Sequence, residues 1–110
     1  MNWIPLTSPD QLQLIREKSF TTPQVIFKHS TRCSTSSMVL NRLERSAAPA
    51  NIDFYYLDLL AYRTISNKIA EEFAVYHESP QVLLIRNGKC VYDESHMAIT
   101  MDELTELAAV

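Results

Sequence analysis

The sequence predicts an α/β domain in which one mixed four-stranded sheet carries helices on both faces, in the order αβαβαββα. Three observations predict it. Short β-rich apolar runs alternate with amphipathic stretches from residue 8 to residue 75, the pattern of strands joined by helical crossovers. Asn87 and Gly88 lie between two β-rich runs, and a tight type I′ hairpin turn needs positive φ at both of its central residues. Boundaries are marked by prolines and polar caps, since Gly88 is the single glycine of the 110 residues. A chain of this length is read as one domain, residues 1–110, able to bury a core without staples.

The first helix opens at Ser8 and Pro9 and runs to about Lys18. Ser8 is a good N-cap, Pro9 suits the first helical position, and Gln11 three residues on completes a capping box. Residues 24–29 (QVIFKH) form the first strand. A helix from Ser34 to about Ser46 places Val39, Leu40, Leu43 and Ala47 on one face. Residues 52–57 (IDFYYL) are apolar on both sides, as a central or parallel strand requires. A helix over 64–75 brings Ile65, Ile69 and Phe73 into register. Gln81–Arg86 and Lys89–Asp93 make the hairpin, and Thr100 with Glu103 caps a last helix bearing Leu104, Leu107 and Ala108. Strands separated by helices are most simply parallel with right-handed crossovers. The result is the thioredoxin topology with an added N-terminal helix.

Composition excludes several classes. A net charge of −3 gives no basic footprint for nucleic acid and no polybasic membrane patch. No run approaches the roughly 18 apolar residues of a membrane span, and the first residues lack the charged-then-apolar pattern of a secretory signal. A cytoplasmic location is therefore expected. Two cysteines on different elements make no disulfide framework, and Cys33, Cys90, His29, His77 and His96 show no metal-ligand spacing.

Cys33 carries the chemistry. It stands where the first strand ends and a helix begins, so unpaired amides and the helix dipole favour an anion there, and the thiolate is the nucleophilic form. Lys28, His29 and Arg32 precede it and offer positive potential. The polar neighbours Thr31, Arg32 and Ser34 argue for partial exposure. Ser36 shares the helix face of Cys33, so the motif is C-S-T-S where a dithiol protein has C-x-x-C. Ser36 has two compatible roles, donating to the thiolate and satisfying the helix start. Pro80 opens a strand, and a proline there fits a cis peptide beside the reactive cysteine, with the backbone of Ser79 presented to a substrate peptide and His77 nearby. Cys90 reads as a small packed strand residue, with a resolving or dimerising role as the lesser alternative. Trp3, Tyr55 and Tyr56 read as core or half-buried aromatics. Glu71–Glu72 and Asp102–Glu103 read as solvated helix positions.

Taken together, FKHSTRCSTSS, SNKIAEEF, HESPQVLLIRNGK and SHMAIT, over nearly the whole chain, resemble the YtxJ-type monothiol bacilliredoxin family of thioredoxin-like proteins. Members of that family often carry proline after the cysteine, where this chain has Ser34. The resemblance implies Cys33 as nucleophile and Pro80 as the cis-proline; beside them the residues themselves offer Arg32, Ser34 and Ser36 as thiolate-supporting and Ser79, Pro80 and His77 as substrate-side candidates. It implies removal of bacillithiol or a similar small thiol from S-thiolated client proteins, with bacillithiol as co-substrate and no tightly bound cofactor. A non-catalytic redox sensor or adaptor is the alternative, separable by turnover. Oxyanion chemistry of the arsenate-reductase kind would need an arginine constellation, and no motif ties Arg63 or Arg86 to Cys33.

Overall fold

The computed structural model covers Met1–Val110. Its elements are β1 (Trp3–Pro5), α1 (Asp10–Lys18), β2 (Gln24–His29), α2 (Ser34–Arg45), β3 (Asp53–Asp58), α3 (Arg63–Glu72), β4 (Gln81–Arg86), β5 (Lys89–Ser95), a 3₁₀ turn (His96–Ala98) and α4 (Met101–Ala108). The sheet has five strands in the order β1-β3-β2-β4-β5. One strand more is present than the sequence predicts: β1 pairs in parallel with β3, Trp3 opposite Phe54 and Pro5 opposite Tyr56. Three residues ending in proline carry no alternation to betray a strand. Only the pairing with β3 makes one of them, at a sheet edge where Pro5 needs no N–H.

β2 and β3 run parallel, with His29 opposite Asp58. β4 is antiparallel to β2, with Lys28 opposite Gln81, and β5 is antiparallel to β4, with Gln81 opposite Ser95. The row Asp58, His29, Lys28/Gln81, Ser95 therefore lies at one end of the sheet. From that end leave the segments 30–33, 59–62 and 96–98, and into it comes the segment 73–80.

Side chains alternate across the sheet and build two cores. On one face Ile26, Tyr55, Leu57, Leu83 and Ile85 pack against Leu12 and Ile15 of α1 and Ile65 and Ile69 of α3. On the other, Val25, Phe27, Phe54, Val82 and Leu84 pack against Val39 and Leu43 of α2 and Leu104 and Ala108 of α4. Most of these side chains are nearly or wholly excluded from water, each worth about 2 kcal/mol of transfer free energy.

The local signals operate as read. Gln11 Oε1 accepts from the N–H of Ser8 at 3.0 Å and Ser8 Oγ accepts from Asp10 N–H at 3.3 Å. Thr100 Oγ1 accepts from Glu103 N–H at 3.2 Å. Asn87 and Gly88 have φ of 55° and 78°. Two helix C-termini fall short of the expected ends, and other boundaries shift by one or two residues. α2 stops at Arg45, so Ala47 lies beyond it and exposed instead of on its apolar face. α3 stops at Glu72 because Ala74 enters the left-handed region, φ 55°, and turns the chain toward residues 75–80. No helix is long and apolar enough to cross a membrane.

Candidate active site

Cys33 is the N-cap residue of α2. Its backbone is extended (φ −105°, ψ 119°), its N–H donates to Ser30 O at 3.2 Å, and its carbonyl accepts the first helical bond, from Ser37 N–H at 3.1 Å. The thiol makes no capping bond and the residue is partly exposed. The first-turn N–H groups of α2 have no acceptor within the helix, so the sulfur sits at the positive pole of the helix. Arg32 and Ser34 flank it on the surface.

The residue three positions on behaves differently from its expected role. Ser36 is fully buried, and the bonds of its Oγ go to the end of β2 instead of to Cys33. Ser30 N–H donates to it at 3.0 Å, and His29 Nδ1 lies 2.6 Å away. His29 is buried between rings, with its centroid 5.8 Å from Phe27 and 5.6 Å from Tyr56. Burial pushes its pKa below the ordinary histidine value, while Asp58, Glu44 and the contact with Ser36 oppose that shift. Sequence reasoning named His29 only as a source of positive potential. The strand's alternation, which puts His29 on the α2 face with Phe27 and Val25, was the signal that would have paired it with the first turn of α2.

Lys28 is corrected more sharply. One residue earlier on β2, it points to the opposite face and is fully buried, so its ammonium does not serve the region of Cys33. Nζ donates to Ser66 O of α3 at 3.2 Å and lies 3.4 Å from His77 Nδ1. With no carboxylate partner, burial lowers its pKa to about 8. His77 also lies 3.4 Å from Ser66 Oγ, and its pKa is lowered by burial and by Lys28 and Arg63, against Glu78. The expected substrate-side residue His77 is thus held from behind by Lys28 and α3. Gln81, also buried, donates from Nε2 to Tyr76 O at 2.9 Å. These bonds hold the segment that ends in the cis Ser79–Pro80 peptide. Ser79 Oγ is buried there without a partner, and Pro80 O accepts from His96 N–H at 3.0 Å.

Around this end of the sheet stand exposed apolar side chains: Leu60 and Tyr62 after β3, Tyr76 before β4, Met97 after β5 and Met38 in α2. Cys90 lies elsewhere. It packs against the α1/α3 core, its Sγ donates to Tyr92 O at 3.3 Å, and burial pushes its thiol up to about 11. Cys90 stands five positions before Ser95 on β5, about 16 Å of strand.

The family model for Monothiol bacilliredoxin BrxC matches residues 4–104. Similar solved structures include one put forward as an oxidoreductase with a thioredoxin fold, at 30% identity and TM-score 0.78, covering 94% of this chain and 90% of that one. The thioredoxin of Malassezia sympodialis matches at 18% identity and TM-score 0.72, over 98% and 89% of the two chains. Thioredoxin f2 of Chlamydomonas reinhardtii matches at 19% and 0.67, over 96% and 93%. At those lower identities the likeness is one of fold alone.

Proposed function

Because the chain belongs to the monothiol bacilliredoxin family and is a thioredoxin-fold thiol–disulfide oxidoreductase, we propose that Cys33 removes bacillithiol, or a small thiol like it, from S-thiolated proteins. The observation that carries this reading is the partly exposed sulfur of Cys33 at the start of α2, with a buried serine where an internal resolving thiol would stand. Cys33 thiolate attacks the small-thiol sulfur of the mixed disulfide. A new S–S bond forms, the old one breaks, and the client leaves as thiolate. A second small-thiol anion then attacks the sulfur carried on Cys33, releasing the symmetric small-thiol disulfide and regenerating the Cys33 thiolate.

Cys90 does not serve as resolving thiol in this scheme. Its pKa is raised and about 16 Å of strand separates it from the reactive end of the sheet. The apolar side chains Leu60, Tyr62, Tyr76 and Met97 suit a protein client, and the backbone of Ser79, beside Pro80, suits pairing with an extended client segment. Arg32 and Ser34 stand exposed on either side of Cys33, at the rim a client would meet.

The test is release of the small thiol from a bacillithiolated protein, with a glutathionylated protein as the second arm. Cys33→Ser is expected to lower turnover by more than about 100-fold. Mass spectrometry is expected to find the carried thiol on Cys33 alone. Full activity of the variant, or modification of Cys90 in its place, would end the reading. Faster release from the glutathionylated arm would reassign the small thiol while keeping Cys33.

A further inference from the structure

We infer that Arg42 is a positioning residue for protein substrates: from α2 it braces the turn that holds the client-pairing edge at Ser79 and Pro80. The inference rests on Cys33 being the nucleophile and on the backbone of Ser79 receiving the client. It adds what keeps that edge in place relative to the helix that carries the sulfur. No backbone hydrogen bond within the chain uses the N–H or the carbonyl of Ser79, so both are open to an extended client segment. A client held there meets Cys33 productively only if the edge and α2 keep one spacing, since a misplacement of about 1 Å can cost on the order of 100-fold in rate.

The brace is a run of observed bonds. Arg42 lies on α2, the helix with Cys33 as its N-cap residue. Its Nη2 donates to Met97 O at 2.8 Å and to Ile99 O, carbonyls 55 and 57 positions away in the chain. The next link is the 3₁₀ turn His96–Ala98, closed by Ile99 N–H on His96 O at 3.4 Å. His96 N–H then donates to Pro80 O at 3.0 Å, and His96 Nε2 stands 3.7 Å from Glu78 Oε2. The turn therefore holds the client edge on both sides of Ser79, and Arg42 ties the turn to α2.

Two features set this turn apart from an ordinary connection. His96 has φ 58°, a left-handed conformation that a residue with a β-carbon adopts at a cost. In that conformation one residue reaches Pro80 through its N–H and Glu78 through its ring. Arg42, half-buried, forms none of the ion pairs of the chain and spends its guanidinium on main-chain carbonyls, with Nε buried and unpartnered. A partly buried cation without a counter-charge is a poor device for stability. The rigid guanidinium plane is a good device for placement, because it fixes two carbonyls in one geometry.

The test compares two substrates on the whole chain. One is the faster-released of the bacillithiolated and glutathionylated proteins; the other is dithiobisnitrobenzoate, a small disulfide with no peptide segment to hold. Arg42→Met is expected to lower kcat/KM for the protein about tenfold, while the rate of Cys33 with the small disulfide stays within about twofold. Arg42→Lys, whose ammonium can still meet a carbonyl, is expected to recover part of the loss. His96→Gly keeps the backbone N–H but deletes the ring. It is expected to raise the urea midpoint and still lower kcat/KM for the protein about threefold. Ala74→Gly is the control, because it relieves the same left-handed backbone (φ 55°) at the end of α3 and removes no contact with Glu78. It is expected to raise the midpoint and leave both rates alone. An unchanged protein rate in either Arg42→Met or His96→Gly, or losses equal on the two substrates, would overturn the brace. If Arg42→Met fails to fold, Arg42→Lys and His96→Gly decide by the same comparison. Loss of both rates in Cys33→Ser keeps the nucleophile whatever becomes of the brace, and survival of the protein reaction there removes the reading on which the brace depends.

Discussion

Lys28 and His29 are successive residues of one strand, and the pleat sends them to opposite worlds. On the α2 face, His29 has a hydroxyl at 2.6 Å, and burial lowers its pKa against the opposing pull of Asp58 and Glu44. On the α3 face, Lys28 has only neutral acceptors, the Ser66 carbonyl and the His77 ring, and no counter-charge. The first cluster adjoins the reactive sulfur. The second fastens the segment leading to Pro80. The difference shows that burial alone does not mark a group as chemical. His29 ties the end of β2 to the first turn of α2 through Ser36, whereas Lys28 is a tether whose charge is expensive to keep dry.

The largest effect expected in the cores tests whether the two faces are equally well packed. Leu83 and Leu84 follow one another on β4, face opposite sides and are fully buried. Leu83→Ala and Leu84→Ala should each cost about 2–5 kcal/mol in urea unfolding. Similar losses would mean two cores of equal weight, and a large gap would show which face limits the fold.

Next in size is the cost of Lys28 itself. Its folded pKa, about 8, lies below the 10.5 of an unfolded lysine. Between those values the unfolded chain holds a proton that the folded one has shed, so folding gains as pH rises through that window and is penalised in full below it. Lys28→Met should raise stability on the order of 2 kcal/mol at pH 7, part of the gain being lost with the bonds to Ser66 and His77. The advantage over wild type should shrink between pH 8 and 10.5. An advantage constant across that range would show that the charge is not what costs. If the tether matters for clients, the same variant should raise KM more than it lowers kcat.

The smallest effect belongs to Cys90. Cys90→Ala should leave small-thiol release unchanged and alter stability by less than about 1 kcal/mol. In the wild type, Cys90 should react with iodoacetamide far more slowly than Cys33 at pH 7, read by peptide mass mapping. A turnover defect in Cys90→Ala would restore the resolving role set aside for it.

Much of this was legible in the chain. Ser8 with Gln11, Thr100 with Glu103, and Asn87–Gly88 are short-range devices, fixed by a few neighbouring atoms, and they read true. So did the position of Cys33, because a strand followed by a polar turn and an amphipathic run places a residue at a helix start. What escaped was set by distant pairing. β1 exists only because β3 lies beside it. Lys28 looked like a surface cation because nothing local says that a central strand will be covered on both faces. The bond between His29 and Ser36 spans the turn between two elements, and each residue had an adequate explanation alone. Ala47 was counted on a helix that had already ended.

The far pole of the sheet from Cys33 is bolted down. At the tip of the β4–β5 hairpin, Asn87 N–H donates to Ser19 O at 3.0 Å and Gly88 N–H to Ser19 Oγ at 2.8 Å, while Arg16 Nη1 donates to Gly88 O at 3.1 Å. A β-carbon on Gly88 would come within 3.1 Å of the Phe20 ring and also demand a left-handed backbone. The hairpin tip is therefore fixed to the end of α1 by backbone and side-chain bonds. Amide protons in a hairpin turn ordinarily exchange fast, yet those of Asn87 and Gly88 should be among the slow ones.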